Sequence, residues 1–187
     1  MFIQTEDTPN PATMKFLPSR AVAASPVDFT NVDEAAASPL AQALFAIEGV
    51  EGVFLGADFI SVTRSADVEW PVLRPAILAA IMDHFLAERP VMLDAAPVSS
   101  GEPPVAASAE DADVVRRINE LLDLRIRPAV AQDGGDVAFE RYEDGVVYVR
   151  LKGACAGCPS ATATLKFGIE QMLRHFIPEV QEVKRVG

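Results

Sequence analysis

A stretch rich in small residues and proline divides this 187-residue chain near its middle. Residues 95–110 read AAPVSSGEPPVAASAE, in which 5 Ala, 3 Pro, 3 Ser and 1 Gly make up 12 of the 16 residues. The segment has no apolar period, and Pro103 followed by Pro104 is incompatible with a helix there. We therefore predict a semi-extended linker at 95–110 that joins two small domains, residues 1–94 and residues 111–187.

The two predicted domains differ in charge. Residues 1–94 contain 5 basic and 13 acidic side chains, a net charge of −8, whereas residues 111–187 contain 11 basic and 12 acidic side chains, a net charge of −1. The total of −11 argues against nucleic-acid binding, which needs basic patches to neutralise phosphates. We interpret the acidic first domain as a solvated surface rather than a docking site for basic partners.

The chain carries no recognisable targeting or membrane signal. No apolar run approaches the ~18 residues that a transmembrane helix needs, so no membrane contact is predicted. MFIQTEDTPN lacks the basic and apolar regions of a signal peptide and the arginines of a transit peptide. Two cysteines are too few for a secreted disulfide scaffold. These observations predict a cytoplasmic protein, or one of the mitochondrial matrix if the chain is a mature organellar form.

The first domain is predicted to be an α+β fold in the order β-β-α-β-β-α, an antiparallel sheet with helices against one face. Ser38 is a suitable cap for the first helix, and Pro39 suits its first turn. The second helix is predicted over PAILAAIMDHFLAE, and Trp70 and Pro71 just ahead of it are expected to anchor the packing. Its aligned apolar residues are Ile77, Ile81 and Phe85.

The second domain reads as α-β-β-α-β. Asp111 or Asp113 is expected to cap its first helix, Pro128 to interrupt that helix, and Gly134 with Gly135 to end it. A hairpin is predicted to turn at Asp144-Gly145, a helix to cover PSATATLKFGIEQMLRHF, and a short strand to close the domain at EVQEVKRV. The apolar face of the first helix is Val114, Ile118, Leu121, Leu122 and Ile126.

Both cysteines lie in the short stretch GACAGCP, with Cys155 and Cys158 separated by two residues. Pro159 occupies a suitable first helical position, so a helix is expected to begin directly behind the two thiols. The positive end of a helix favours thiolate over thiol and lowers the cysteine pKa below its usual ~8.5. Glycine and alanine on either side leave the backbone bare, so a bulky group can approach the sulfurs closely.

Several interpretations of this cysteine pair can be compared. A zinc site needs a second pair of ligands, but there is no third cysteine, and His84 and His175 fall in different predicted domains, where we expect ordinary, partly exposed helix residues. Two cysteines that merely pack are disfavoured because an open glycine-rich loop packs poorly. A thioredoxin-like dithiol oxidoreductase, with Cys155 as nucleophile and Cys158 as resolving thiol, remains chemically possible, but few residues follow the motif.

An iron-sulfur cluster normally takes four cysteine ligands, and one chain offers two. If two copies of the loop meet across a two-fold axis, four thiolates converge and a cluster can be held between them. A cluster held by two surface loops is less enclosed than one wrapped by a single chain. Such a site suits transfer of the cluster better than electron transfer.

The residues around the motif resemble a known family. VRLKGACAGCPSATATLKFGIEQML, RPAVAQDGGDV and PEVQEV resemble the NifU C-terminal domain of iron-sulfur cluster scaffold proteins, and TPNPATMKFLP with SPLAQALFAIEGVEGVFLGADFISVTR resembles the N-terminal domain of the two-domain Nfu type. The resemblance implies a [4Fe-4S] cluster that bridges a homodimer through Cys155 and Cys158. It also implies a carrier, not an enzyme, that works with cluster-assembly factors and delivers the cluster to apo iron-sulfur proteins. Ser19 departs from the family, in which we expect glycine after Pro18.

Other residues near the motif are interpreted as structural. The Asp133, Gly134, Gly135, Asp136 stretch resembles a family motif, but a helix-ending glycine pair with flanking carboxylates explains it. Lys152 and Lys166 are expected to be solvated rather than to balance a cluster's charge. Four larger apolar residues are predicted to lie in the core: Phe139, Phe167, Met172 and Phe176.

Overall fold

The computed structural model describes residues 2–93, 109–156 and 159–186. The chain divides into two compact units, residues 1–96 and residues 97–187. Most of the predicted linker, residues 95–108, lies outside the described residues, and its last two residues are the first of a helix. The linker and the exact domain bounds therefore stay predictions, while the predicted α+β class with two small units is confirmed.

The first unit is one antiparallel sheet with two helices against one face. The elements are β1 (Gln4–Asp7), β2 (Thr13–Leu17), β3 (Val27–Phe29), α1 (Pro39–Phe45), β4 (Val50–Leu55), β5 (Ile60–Arg64) and α2 (Trp70–Leu86). The five strands lie in the order β1-β2-β5-β4-β3, and every neighbouring pair is antiparallel. A 3-10 turn, Glu34–Ala37, leads into the first helix.

Local sequence explains both helices of the first unit. The Ser38 side chain accepts a hydrogen bond from the Ala41 amide at 3.1 Å, so the predicted cap of α1 is confirmed. The same hydroxyl donates to the Val91 carbonyl at 2.6 Å and ties α1 to the segment after α2. The predicted apolar face of α2 is also confirmed, because Ile77 and Ile81 are fully buried against the sheet and Phe85 is nearly so.

Three details of the first unit differ from prediction. Strand β3 was not expected, because three residues are too few to show an alternating pattern. Helix α2 begins at Trp70 and contains Pro75, which we took as its start because proline usually stands in the first turn. His84 is 1% exposed rather than partly exposed, because it lies on the buried side of α2 beside Phe85.

The second unit is a three-stranded sheet packed against two helical segments. Strands β6 (Gly135–Glu143) and β7 (Val146–Gly153) form the predicted hairpin, whose Asp144-Gly145 turn has positive φ at both residues. Helix α5 (Pro159–Phe176) has the predicted bounds and crosses from β7 to β8 (Glu182–Arg185), which pairs with β7 in parallel. The sheet order is β6-β7-β8.

The first helix of this unit is interrupted by a π turn. It comprises α3 (Ala109–Leu121), the π segment Leu122–Ile126, and α4 (Arg127–Gln132). Its core residues recur at intervals of four residues. Because each residue of an α-helix turns by about 100°, four such intervals would place the last core residue about 160° around an uninterrupted helix from the first. The wider π turn absorbs this drift and keeps one face on the sheet. The buried residues at this spacing are Val114, Ile118, Leu122, Ile126 and Val130.

The predicted cap of the first helix of the second unit is wrong, and so is the predicted burial of Phe167 and Phe176. Asp111 and Asp113 lie inside α3 and do not cap it, because the helix begins at Ala109; Asp113 instead pairs with Arg116 at 2.7 Å. Phe139 and Met172 pack against the core as expected. Phe167 and Phe176, however, are 59% and 42% exposed, because the buried stripe of α5 runs through Ile169 and Leu173.

Along the described parts of the chain, no helix is long and apolar enough to cross a membrane.

Candidate metal site

Cys155 lies in the turn that links β7 to α5. Residues 154–156 form this turn, and α5 begins at Pro159 as predicted. The Cys155 side chain is 4% exposed and belongs to the apolar core of the second unit. Cys158 lies outside the described residues, so its role as a ligand remains a prediction from the sequence.

Gly135 lies directly against Cys155. A Cβ at position 135 would be 2.7 Å from the Cys155 sulfur and 2.6 Å from the carbonyl oxygen of Lys152. Both separations are shorter than packed atoms tolerate, so only glycine fits between this sulfur and the end of β7. The sequence pattern predicts only that Gly135 helps to end a helix and does not reveal this contact. The sequence contains one sign of this contact: a single glycine is enough to end a helix, yet two adjacent glycines are present.

The backbone of the preceding loop holds the cysteine turn in place. Gly134 has φ +78° just after α4, as expected for a residue that ends a helix. Its carbonyl oxygen accepts a hydrogen bond from the Ala154 amide at 3.2 Å, and Gly135 pairs with Gly153 across the β6–β7 ladder. Gly134 therefore ends the helix as predicted, whereas Gly135 begins β6, and both residues support the turn that carries Cys155.

An ion pair between the buried Asp136 and the half-exposed Arg127 anchors the start of β6. Asp136 is 5% exposed, and its carboxylate lies 3.2 Å from Nε of Arg127 in α4. Burial raises the pKa of Asp136, while the charges of Arg127 and Lys152 act in the opposite direction. Arg127 also donates to the Val137 carbonyl at 3.1 Å and pairs with Asp123 at 2.9 Å. The pair thus connects the end of the interrupted helix to the strand that supports the cysteine turn.

The donor set suits soft metal chemistry. Within residues 2–93, 109–156 and 159–186, no three His, Cys, Asp or Glu side chains come together where they could hold a metal ion. A metal bound by Cys155 with three or more side-chain ligands would therefore have to take some of them from Cys158 or from another molecule. Thiolate sulfur is the usual ligand of iron in iron-sulfur clusters, so the donor type of the two cysteines fits such a cluster. The Cys155 sulfur itself fills the space that a Cβ at position 135 would occupy, and the side chain is buried in this conformation.

The two nearby lysines differ in their surroundings. Lys166 extends from α5 toward β8, where its ammonium lies 3.9 Å from a carboxylate oxygen of Glu182. Lys152 is half-buried on β7, where it lies opposite Asp136 in the β6–β7 strand pairing.

Together, the two units and the cysteine turn ahead of a long helix define a two-domain α+β protein with a paired-cysteine loop in its second unit.

Comparison with known proteins identifies this class. Residues 3–88 match the family model described as "Scaffold protein Nfu/NifU N terminal", and residues 118–184 match the model described as "NifU-like domain". The human protein named "NFU1 iron-sulfur cluster scaffold homolog, mitochondrial" is 50% identical over 188 residues, which cover 100% of this chain and 72% of the human one. The chain belongs to the Nfu family of two-domain scaffold proteins.

Two further relatives show the same pattern. The protein of the same name from Drosophila sechellia is 47% identical, and the match covers 100% of this chain and 65% of the fly protein. "NifU-like protein 4, mitochondrial" from Arabidopsis thaliana is 46% identical over 99% of this chain and 66% of the plant protein. The chain therefore spans slightly less than two thirds of the length of these two relatives.

Proposed function

We propose that this protein carries a [4Fe-4S] cluster, held between two copies of the chain by Cys155 and Cys158 of each, and passes it to apo-proteins. The observation that carries the proposal is the position of Cys155 in a tight turn against Gly135, in a chain whose other cysteine is three residues away. The names of the relatives, which call them iron-sulfur cluster scaffolds or NifU-like proteins, support it.

The homodimer follows from the number of ligands. A cubane cluster takes four thiolates, and the chain has two cysteines. A two-fold axis through the loop supplies the other two from an identical chain, and twofold symmetry is the commonest arrangement of homo-oligomers. The cluster is cargo in this proposal, because a cluster held between two chains can be released when the chains separate.

Transfer needs no turnover of a small substrate, so we place the protein among carriers rather than enzymes. Its partners would be cluster-assembly factors that load it and apo iron-sulfur proteins that receive the cluster. Thiolate ligands require a reducing compartment, which is the cytoplasm, or the mitochondrial matrix if the chain is a mature organellar form. The relatives' names carry the word mitochondrial.

Anaerobic reconstitution tests the proposal. The full chain is incubated with ferrous iron, sulfide and a thiol reductant, and iron, absorbance and sedimentation are measured together. We expect a brown chromophore, about two irons per chain and conversion of monomer to dimer. Transfer is then followed as the gain of activity of an apo-enzyme that needs a [4Fe-4S] cluster.

Cys155→Ser and Cys158→Ser are the matched controls. Each variant is expected to lose cluster binding while it keeps its circular dichroism spectrum. A colourless monomer that reduces disulfides would instead support the dithiol oxidoreductase. The fold disfavours this alternative, because within the described residues 159–186 the cysteine turn is followed by α5 and β8 alone, and a thioredoxin-like sheet needs more strands after its motif.

A further inference from the structure

The outward face of α5 has no charged side chain over its middle turns. Five residues form this face, and the described surface there is exposed: Ala163, Thr164, Phe167, Gly168 and Gln171. The two charged residues within the same span turn away from it. Lys166 pairs with Glu182 of β8 at 3.9 Å, and Glu170 accepts a hydrogen bond from the Val183 amide at 3.1 Å.

On this face the side chain of Phe167 protrudes, and the neighbouring Gly168, which has no side chain, leaves a hollow beside it. Phe167 is 59% exposed, which is unusual for a large aromatic side chain. A shallow pocket beside it is lined by Gly168, Gln171, Met172, Arg174, His175 and Phe176. A Cβ at Gly168 would meet no atom within 4 Å, so the space above it is open. An isologous contact places residue i of one chain on residue j of the other and the reverse, and this arrangement lets each Phe167 occupy the hollow over the partner's Gly168.

The position of the face along α5 connects it to the cysteine loop. The helix rises about 1.5 Å per residue, so Ala163 to Gln171 lie roughly 6 to 18 Å from its first residue, Pro159. A cluster shared at the loop brings the same surfaces of two chains close to one axis. Specific interfaces bury about 800 Å² per partner, from about 20–30 residues a side. The six residues 153–158 are too few to supply that area, so neighbouring surface has to contribute.

We propose that the outward face of α5 is the protein–protein part of the dimer interface, with a second copy of this chain as its occupant. The inference rests on the proposed function, since the cluster is what brings the two loops together. Residues close to a two-fold axis face their own copies, so the absence of charged side chains over residues 163–171 of this face avoids like-charge repulsion there, which favours a second copy as the occupant. Phe167 supplies the apolar anchor, and Gly168 the space it fills.

Two substitutions in the full chain test the face from opposite sides. Phe167→Asp places like charges at the interface, and Gly168→Leu fills the hollow. The cluster-loaded proteins are compared by anaerobic sedimentation, with iron content measured on the same samples. We expect the dimer dissociation constant to rise about tenfold or more for each variant, as for loss of an interface anchor. Gly168→Leu should at the same time raise the thermal midpoint of the cluster-free chain, because leucine favours a helix more than glycine does.

Leu124→Asp is the matched control. Leu124 is 76% exposed in the same unit but lies in the π segment rather than on α5, so this variant should dimerise like the unsubstituted chain. Dimerisation of both test variants within twofold of the unsubstituted chain would overturn the inference and leave the proposed function standing. Unchanged dimerisation with slower transfer to an acceptor would also overturn it, and assign the face to the acceptor. An unsubstituted chain that takes up no iron would overturn both proposals.

Discussion

At the scale of single residues, Gly135 has the tightest contact around the candidate site. Gly135→Ala would place a methyl group within 2.7 Å of both the Cys155 sulfur and the Lys152 carbonyl oxygen, so one of them has to move. We expect the free energy of unfolding of the second unit to fall by about 1–3 kcal/mol, as for overpacked cores. Reconstituted protein should also retain less iron than the unsubstituted chain.

Urea unfolding followed by tyrosine emission measures this effect, because Tyr142 and Tyr148 are the only tyrosines and both lie in the second unit. Gly168→Ala is the control, since its new methyl group meets open space on a helix and should stabilise the unit by up to about 1 kcal/mol. Equal stability of the two variants would show that the close contact is relieved without cost.

Ser19 carries a backbone conformation that suits glycine. Its φ is +57°, in the left-handed region, which costs an L-residue about 1 kcal/mol. Its side chain makes a long hydrogen bond from Oγ to the Phe2 carbonyl at 3.4 Å. We therefore expect Ser19→Gly to stabilise the first unit by up to about 0.5 kcal/mol, because the entropy cost of glycine, about 0.5–1 kcal/mol, offsets much of the relieved strain. Denaturation followed by the emission of Trp70 measures the change, and a loss of stability would contradict the prediction.

At the scale of elements, the π turn behaves as one residue inserted into an α-helix. Removing Leu124, which is 76% exposed, leaves the buried residues on either side at intervals that suit an uninterrupted helix. We expect the deletion variant to fold, with its unfolding free energy changed by less than about 1 kcal/mol. Deletion of the exposed Gln171 from α5 is the control. It should unfold the unit, because it rotates Ile169 away from the core by about 100°.

Helix α2 brings a histidine into the core of the first unit. Burial lowers the pKa of His84, and the charge of Arg89 acts in the same direction while Asp83 opposes it. The unfolded chain therefore binds a proton at a higher pH than the folded one. The stabilising effect of a neutral His84 is complete above the unfolded pKa of about 6.5, and is lost as the pH falls below that value toward the lowered pKa of the folded state.

Urea unfolding by Trp70 emission between pH 8 and pH 5 tests this behaviour. In the interval between the two pKa values, the unfolding free energy should fall by up to about 1.4 kcal/mol for each pH unit. His84→Leu should flatten that part of the curve, whereas His175→Leu, on the exposed side of α5, should not change it. An identical slope in His84→Leu would mean that other groups cause the pH dependence.

Sequence patterns predicted the elements whose signals are local. Ser38, Pro159 and Asp144-Gly145 each act through their own backbone, so the cap, the start of α5 and the hairpin turn were found where expected. The contacts that depend on tertiary packing were not found. The Cys155–Gly135 contact joins residues that are twenty positions apart, and the exposure of Phe167 depends on which stripe of α5 meets the sheet. Periodicity alone does not choose between two adjacent stripes of one helix.

At the scale of the whole molecule, each unit has a core of its own. The buried residues of the first unit cluster around Phe16, Leu44 and Ile81, and those of the second around Ile118, Val147 and Leu173. Each unit is therefore expected to fold as a separate chain.

Fragments test that expectation and the predicted bounds together. Residues 1–94 and residues 109–187 should each unfold cooperatively, with Trp70 reporting on the first and the two tyrosines on the second. A fragment that starts at 111, the bound predicted from sequence, should be slightly less stable than one that starts at 109, because α3 begins at Ala109. Fragments without a cooperative transition would show that the units depend on each other.

The parallel pairing of β7 with β8 has a consequence for synthesis. Strand β8 follows α5 in the chain, so the ribosome completes the β6–β7 hairpin well before the strand that covers its open side. Until Glu182–Arg185 emerge, the backbone of β7 is an unpaired edge beside Val147, Val149 and Leu151. Such an edge is a template for aggregation. The nascent chain thus passes through an interval in which this edge of the hairpin is open to pairing with another chain.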